Sequence, residues 1–476
     1  MKWLTYTRGS IPPHRLSAAL KGVQGDMARL CGYPIHQAIY FNKSNKAWWN
    51  WDEREIEGLG KKLLEKLNTS KSRQQHFEKF NGLMQGAIEA SEKARRLDLK
   101  TLSSEQLANK YRELEKLTMS VNGFSNADVD AFDIVFDEFF QKKLEKALPK
   151  NISQEKFIDI YKKLTTPIYE SFVAKEKREL IELALQKKYS SDQINRLYQK
   201  HWWTKIGWEN IQPHTKNYFE QEVEKLHRDK NLSSKLEKTK EVLDKVKKDR
   251  QTIIKKYNLP ESITSWLEVI DKYTYFHDLR KEMQMRTAYF LYLMLSEIAR
   301  RLKFSAKDLE FLHGEELLGL LEGKELDKVE IKKRKQATCV IVGKNSIKTL
   351  SGQEAERKFK SEVPIDVSQQ KIIKGNGVSP GKIRAVAKVC SGLVEALQKV
   401  KQGDVLVCGM TLPDYVPAMK RAAAIVTNEG GITCHAAVIS RELGIPCVVG
   451  TKNATDILQD GDKIEVDADK GIVKKI

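Results

Sequence analysis

The sequence of 476 residues contains no long apolar run, and its longest apolar stretches, such as Ala288–Leu295, are too short to span a bilayer. Its first residues, MKWLTYTRGSIPPHRL, lack the apolar segment of a secretory signal peptide. Hydrophobic residues make up 41% of the chain and charged residues 31%, which is the balance of a folded chain rather than a disordered one. We therefore expect a cytoplasmic protein that makes no membrane contact.

Cysteine is scarce, and its spacing excludes the common disulfide and zinc frameworks. None of the six cysteines forms a CxxC pair, and the histidines do not cluster at zinc spacing. We expect reduced thiols, mostly buried in strands, and no metal site. The cysteines are Cys31, Cys339, Cys390, Cys408, Cys434 and Cys447.

Charge of one sign dominates, and it is unevenly distributed. The formal net charge is +19, yet residues 372–476 hold 14 Lys and Arg against 11 Asp and Glu. Most of the excess therefore lies in the first 371 residues, which raises the hypothesis of a nucleic-acid-binding helical protein. A Lys-rich solvated helical surface explains the same pattern without any nucleic-acid motif. We favour that interpretation and do not expect nucleic acid as a partner.

The order of sequence patterns predicts a multidomain protein, with a large mainly α-helical region followed by a small β/β/α domain. From residue 52 to about 322, apolar residues recur at spacings of three and four. Helix starts are predicted at Thr101, Ser103 and Ser104, at Ser153, and at Ser190 and Ser191. ATCVIVG and SIKTLSG then suggest a β-hairpin around residues 344–345. We predict a helical domain at 1–330, a short hairpin and linker at 331–371, and a third domain at 372–476.

The third domain contains the segment that carries chemistry, TNEGGITCHAAVISRELGIPCVVG. A buried strand ends in a polar loop with Gly430 and Gly431, where backbone amides can approach an anion closely. Thr433 is suited to cap a helix beginning at residue 434, so His435 falls in its first turn. Gly444 is the expected residue beyond the helix end.

A histidine at a helix N-terminus is suited to phosphoryl transfer. The unpaired amides and positive dipole end stabilise a phosphate, and the same dipole disfavours imidazolium. A neutral imidazole can attack a phosphoryl group and hold it, which divides one transfer into two. Arg441 lies six residues further along, so a structural role is slightly favoured over phosphate binding. On these residues alone, a histidine after two glycines is more often a capped or solvent-facing residue than a functional one.

The segment resembles the phosphohistidine signature of the phosphoenolpyruvate-utilising enzymes, which include phosphoenolpyruvate synthase, pyruvate phosphate dikinase and the rifampicin phosphotransferases. The resemblance extends upstream to GVSPGKIRAVAKV and downstream to GDKIEVDADKGIVKKI, and so covers residues 375–476. It implies a swivelling domain in which His435 is phosphorylated and Gly430, Gly431, Thr433 and Arg441 bind the phosphate. The signature matches at Gly430, Gly431, Thr433, His435, Ala436, Ala437, Arg441, Glu442, Gly444, Pro446 and Gly450.

The rest of the chain departs from these enzymes. LRKEMQMRTAYFLYLMLSEIARRLKFSAKDLEFLHGEELLGLL is only faintly similar to the helical substrate-binding domain of rifampicin-phosphotransferase-like proteins. Neither an ATP-grasp domain nor a TIM barrel is recognisable. The resemblance therefore implies a separate ATP-grasp partner that supplies ATP and Mg²⁺, with no cofactor bound tightly to this chain and a small molecule as the acceptor.

Other candidate residues have a functional and a structural interpretation. Arg280, Glu282 and Arg286 lie on one predicted helix and could form an acceptor site or a set of surface salt bridges. The two Trp clusters, Trp48–Trp51 and Trp202–Trp208, could line a pocket but more often pack in a core. Cys434 is expected to turn into packing rather than to act in redox chemistry, and Glu429 is expected to be a solvated loop acid.

Our leading hypothesis is a phosphotransferase component, resembling phosphoenolpyruvate synthase, that carries a phosphoryl group on His435. The partner that gives the phosphoryl group would bind a nucleotide or phosphoenolpyruvate. An alternative is a non-catalytic regulator that uses the same domain only as a binding module.

Overall fold

The structure is a computed structural model, and the chain divides into two compact units. One unit contains the described residues of 1–16, 35–55 and 326–476, and the other those of 17–34 and 56–325. The described residues are 3–9, 11–14, 22, 38–43, 46–186, 188–208, 211–229, 231–343, 347–362, 372–411, 415–431 and 434–476.

The second unit is helical, as its periodicity predicts. Ser103 and Ser190 each close a capping box with the glutamine three residues on, and Ser153 caps the helix that follows it. These three predicted starts are therefore confirmed. The helices are α1 (Glu53–Lys66), α2 (Ser70–Arg95), α3 (Ser104–Ala147), α4 (Gln154–Thr165), α5 (Phe172–Ala184), α6 (Ser191–His201), α7 (Lys216–His227), α8 (Leu232–Lys256), α9 (Glu261–Leu302), α10 (Ala306–Leu309) and α11 (Gly314–Leu321).

The core of the helical unit forms where α9 packs against α2 and α3. Aromatic rings stack between these helices: the centroids of Phe80 and Phe276 are 3.9 Å apart, and those of Phe132 and Tyr273 are 3.6 Å apart. Of the helices described, none is long and apolar enough to cross a membrane.

A five-stranded antiparallel sheet combines three strands from residues 3–52 with two strands from residues 337–351. The predicted hairpin forms β4 and β5. In addition, β4 pairs with β2 in antiparallel register, with Ala38 opposite Val342 and Lys43 opposite Ala337. The N-terminal strands differ from the predicted mainly helical domain at 1–330, because the alternating aromatic segment at 46–52 favours a strand. The strands are β1 (Trp3–Gly9), β2 (Ala38–Lys43), β3 (Lys46–Asp52), β4 (Ala337–Val342) and β5 (Ile347–Ser351), in the order β1-β3-β2-β4-β5.

Two helices flank this sheet, α12 (Lys328–Gln336) and α13 (Gly352–Glu362). Trp48 and Phe41 pack on Phe359 of α13, with 4.2 Å between the centroids of the two Phe rings. The first Trp cluster therefore contributes to packing, as its structural interpretation predicts.

The C-terminal domain has the predicted β/β/α organisation. Its eight-stranded sheet has the order β6-β13-β12-β8-β9-β10-β11-β7, in which β8 to β11 are parallel neighbours. The strands are β6 (Ile372–Lys374), β7 (Asn376–Ser379), β8 (Lys382–Cys390), β9 (Val405–Cys408), β10 (Ala424–Thr427), β11 (Cys447–Val449), β12 (Lys463–Asp467) and β13 (Ile472–Lys475). The helices are α14 (Leu393–Lys399), α15 (Val416–Met419), α16 (His435–Leu443) and α17 (Ala454–Ile457).

Candidate phosphohistidine site

The carboxyl ends of β9, β10 and β11 lie at the same edge of the sheet, because the three strands are parallel. Each strand continues into a loop at this edge, at 409–411, 428–431 and 450–453. Ligands of open α/β sheets bind at such an edge. The described part of the predicted phosphohistidine segment begins at the end of β10, at this edge, and continues through the loop and α16 to β11.

His435 is the first residue of α16, and its imidazole is held by a side chain from a neighbouring loop. The hydroxyl oxygen of Thr411 lies 2.8 Å from Nδ1 of His435. Thr411 is buried, with 2% of its surface exposed, while His435 is half-buried and so keeps contact with solvent. This hydrogen bond engages Nδ1 and restrains the plane of the ring.

Thr411 was not predicted from the sequence. It lies 24 residues before His435 and follows β9, so only the pairing of β9 with β10 brings the two side chains together. A threonine shortly after a strand is too common to signal such a contact.

The predicted glycines shape the loop before α16. Gly430 has a φ of 110°, in a region that only glycine adopts readily, and a Cβ there would lie 2.6 Å from the sulfur of Cys434. The carbonyl of Gly431 accepts a hydrogen bond of 3.1 Å from the amide of Cys434. Phosphate binding by these two glycines stays a prediction.

The start of α16 differs by one residue from the predicted start. Cys434 occupies the N-cap position, with no side-chain capping hydrogen bond, and the helix begins at His435. Thr433, the predicted cap, lies outside the described residues. At the other end, Gly444 has the left-handed conformation with a φ of 66°, as predicted.

Cys434 packs into the core cluster beneath α16, as predicted. Burial raises the pKa of its thiol, although the amides of Ala437 and Ala436 act in the opposite direction. The raised pKa favours the protonated thiol, which disfavours a redox role for this cysteine at a helix N-terminus.

Arg441 binds its own helix. Its Nε donates a hydrogen bond of 2.7 Å to the carbonyl of Ala437, and burial lowers the pKa of the guanidinium. This contact matches the structural role favoured from the sequence. Phosphate binding by Arg441 stays a prediction.

The predicted acceptor residues pair with acids on two different helices. Arg280 donates to Asp130 of α3 at 2.8 Å, whereas Arg286 pairs with Glu92 of α2 and, at 2.7 Å, with Glu282. Six helical positions separate the two arginines, so they point in different directions around α9. The structure does not bring them together, and their acceptor role stays a prediction.

The second Trp cluster lies beside Arg286. The Arg286 guanidinium carbon is 5.4 Å from the ring centroid of Trp202 and 5.7 Å from that of Trp203. Both tryptophans are buried, so in the helical unit they act as core packing. Within the described residues, no group of three or more His, Cys, Asp and Glu side chains is placed to hold a metal ion.

Comparison with known proteins places this site in a family. Residues 400–471 match the family described as PEP-utilising enzyme, mobile domain. The C-terminal domain is therefore a mobile domain of the phosphoenolpyruvate-utilising enzymes.

Two similar proteins are named as phosphoenolpyruvate synthases. The chain is 55% identical over 121 residues to a probable phosphoenolpyruvate synthase of Archaeoglobus fulgidus, which covers 25% of this chain and 16% of the relative. It is 54% identical over 125 residues to the phosphoenolpyruvate synthase of Pyrococcus furiosus, covering 26% and 14% of the two chains. The chain thus spans about one-sixth of the length of these relatives.

Among solved structures, the holo-form of Thermococcus kodakaraensis aconitase X matches with 18% sequence identity. The match covers 22% of this chain and 99% of that chain, with a TM-score of 0.18. This score is too low to support any structural argument.

Proposed function

We propose that this chain is a phosphotransferase component in which Nε2 of His435 carries a phosphoryl group between a donor and an acceptor. The observation that carries the proposal is the hydrogen bond between Thr411 and Nδ1 of His435, on the first residue of a helix at the carboxyl edge of parallel strands. Because Thr411 engages Nδ1, we assign the phosphoryl-carrying role to the other ring nitrogen, Nε2.

The chemistry follows from this arrangement. The Nε2 lone pair attacks phosphorus, the bond between phosphorus and the donor oxygen breaks, and the donor leaves with that electron pair. In the second step an acceptor oxygen attacks the same phosphorus, and the Nε2–phosphorus bond breaks. Thr411 accepts a hydrogen bond from Nδ1–H throughout, so it stabilises the positive charge that the ring acquires on phosphorylation.

The similarity to proteins named phosphoenolpyruvate synthase supports a transfer that involves phosphoenolpyruvate or ATP. We propose that a separate ATP-grasp chain binds ATP and Mg²⁺ and phosphorylates His435. A small molecule then accepts the group. A non-catalytic regulator would bind such a partner but would pass no phosphate to any small molecule.

The test is labelling of the full chain with ³²P. Wild-type protein is incubated with an ATP-grasp chain and ATP labelled at its β and γ positions, with ³²P-phosphoenolpyruvate, and with potassium phosphoramidate as a chemical donor. We expect an adduct that is stable to alkali and labile to acid, located by mass spectrometry on His435.

The decisive variant is His435→Ala, and His227→Ala is its matched control. His227 also lies in a helical terminal turn and bonds the carbonyl of Ala184 at 2.8 Å, but in the helical unit. We expect labelling to be lost in the first variant and kept in the second. Equal labelling of wild type and His435→Ala would overturn the proposal.

A further inference from the structure

A set of buried polar side chains lies beside the loop that leads to His435. Thr427, Asn428, Thr451 and Thr455 expose 0%, 3%, 3% and 6% of their surfaces. Buried polar groups persist in proteins when they are hydrogen-bonded, so each of these needs a partner. They find those partners in one another and in nearby backbone carbonyls.

Asn428 and Thr455 make a two-point contact. The side-chain amide of Asn428 donates to the hydroxyl of Thr455 at 2.6 Å, and the amide of Thr455 donates to Oδ1 of Asn428 at 3.0 Å. Because both ends of the Asn428 amide are engaged, its position relative to α17 is fixed in distance and in angle.

A second pair extends the contact along the strand ends. Both the amide and the hydroxyl of Thr451 donate to the carbonyl of Thr427, at 3.1 and 2.9 Å, and the Thr427 hydroxyl donates to the carbonyl of Glu429 at 2.6 Å. Lys452 then adopts a left-handed φ of 68° and donates its amide to the carbonyl of Asn428 at 2.8 Å. A lysine in this conformation is strained, and such strain persists only where surrounding contacts hold it.

The opposite side of the same segment is bound to the loop that carries Thr411. The backbone amide of Asn428 donates a hydrogen bond to the carbonyl of Cys408 at 3.1 Å. The backbone amide of Glu429 donates one to the carbonyl of Gly409 at 3.0 Å. Asn428 therefore connects α17 on one side with the segment 408–411 on the other. That segment ends at the hydroxyl that holds His435.

We infer that Asn428, with Thr455 as its partner, is a positioning residue for phosphoryl transfer through His435. Asn428 sets the position of the glycine loop, residues 428–431, relative to Thr411 and His435. It thereby sets the distance between the backbone amides of that loop and a phosphoryl group on Nε2. This inference rests on the proposed function. It concerns a residue that touches neither the donor nor the imidazole.

The experiment uses two substitutions of Thr455 in the full chain. Thr455→Val keeps the shape but removes the hydroxyl, whereas Thr455→Ser keeps the hydroxyl. Potassium phosphoramidate serves as donor: its phosphorus–nitrogen bond breaks, the Nε2–phosphorus bond forms, and ammonia leaves. Because a misplacement of about 1 Å can cost up to roughly 100-fold in rate, we expect a loss of about tenfold for Thr455→Val. We expect Thr455→Ser to stay within about twofold of wild type.

Two further measurements separate positioning from general destabilisation. Val473→Ala removes buried volume from β13, in the core cluster that also contains Ala454 and Ile457 of α17, and so lowers the melting temperature without removing a hydrogen bond of the loop. We expect it to label His435 at the wild-type rate at 25 °C. The half-life of the phosphohistidine, followed by ³¹P NMR, is expected to change in Thr455→Val and in Asn428→Ala but not in Val473→Ala.

The outcomes distinguish the two proposals. If phosphoramidate does not label His435 in wild type, the proposed function fails. If wild type is labelled, and Thr455→Val equals Thr455→Ser in both rate and half-life, the positioning inference is overturned while the proposed function stands. A loss of rate in Val473→Ala as large as that in Thr455→Val would also overturn the inference.

Discussion

Thr411 and His435 are joined by a hydrogen bond of 2.8 Å between a threonine hydroxyl and Nδ1 of the imidazole, across two neighbouring strand-end loops. The two nitrogens of a neutral imidazole differ, and the partner of one decides the role of the other. When the hydroxyl accepts from Nδ1–H, Nε2 carries the lone pair, and this is the tautomer that the proposed function requires. The identity of residue 411 thus bears directly on the nucleophile.

We predict that Thr411→Val shifts His435 toward the Nε2–H tautomer, because valine keeps the shape of threonine but accepts no hydrogen bond. Long-range ¹H–¹⁵N NMR of the imidazole measures the tautomer ratio, and Thr411→Ser is the control that retains the hydroxyl. The labelling rate should fall by about tenfold to a hundredfold in the valine variant, since a hydrogen bond to a charged group contributes about 1.5–3 kcal/mol. An unchanged tautomer ratio in Thr411→Val would contradict the assignment.

Gly430→Ala should destabilise the C-terminal domain more than a glycine substitution at an open site with similar backbone. At Gly430 the added Cβ meets both a φ of 110° and the Cys434 sulfur, whereas at Gly403 the φ of 91° stands in open space. We expect about 1–3 kcal/mol lost in Gly403→Ala and a larger loss in Gly430→Ala, measured by urea unfolding. Equal losses of stability in the two variants would show that the Cys434 side chain moves aside without lowering the free energy of unfolding.

Asp278 should make the stability of the helical unit depend on pH. Burial raises the pKa of this carboxyl to about 6, although the amide of Phe172 donates to it at 2.8 Å. The native state thus binds the proton more tightly than the unfolded state, whose pKa is near 3.8. The stabilising effect of protonation is full below the unfolded pKa and is lost as the pH rises through the native value.

We therefore predict that Asp278→Asn, which can keep the hydrogen bond from Phe172, gains stability relative to wild type as the pH rises from 4 to 7. The gain should reach at most about 3 kcal/mol, since each pKa unit corresponds to about 1.4 kcal/mol. Urea unfolding at a series of pH values tests this. Parallel stability curves for the two proteins would argue against a raised pKa.

Arg286 should contribute far more stability than an exposed arginine on the same helix. Its side chain is 7% exposed and pairs with two carboxylates, whereas Arg300 is 58% exposed beside Glu297. Arg286→Met removes the cation from Glu282 and leaves Glu92 paired with Arg95 alone, so we expect a loss of about 3 kcal/mol in the free energy of unfolding. Arg300→Met should lose less than about 1 kcal/mol. Thermal and urea unfolding provide the comparison, and similar losses would mean that burial does not strengthen the Arg286 pairs.

The parts of the fold that were predicted correctly depend on local sequence. Helix starts at Ser103, Ser153 and Ser190 follow from side-chain caps that reach only three residues, and the end of α16 follows from Gly444. The phosphohistidine segment was equally visible, because strand, glycine loop and helix follow one another without a break.

The parts that were missed depend on contacts between distant residues. The N-terminal strands pair with the hairpin roughly 300 residues later in the chain. The spacing of apolar residues within a segment carries no information about such a distant partner. Thr411 and Thr455 meet their partners only because β9, β10 and β11 are adjacent. Neither residue type is distinctive enough at its position to reveal the contact.

The pairing of β2 with β4 also sets an order of events during synthesis. Strands β1 to β3 leave the ribosome first, and at about 5–20 residues per second the strand that covers β2 follows some 15–60 s later. Until then β2 presents an open edge, which is a template for wrong pairing with another nascent chain. Production of this protein should therefore be sensitive to translation speed and to chaperones, even though its finished domains are well packed.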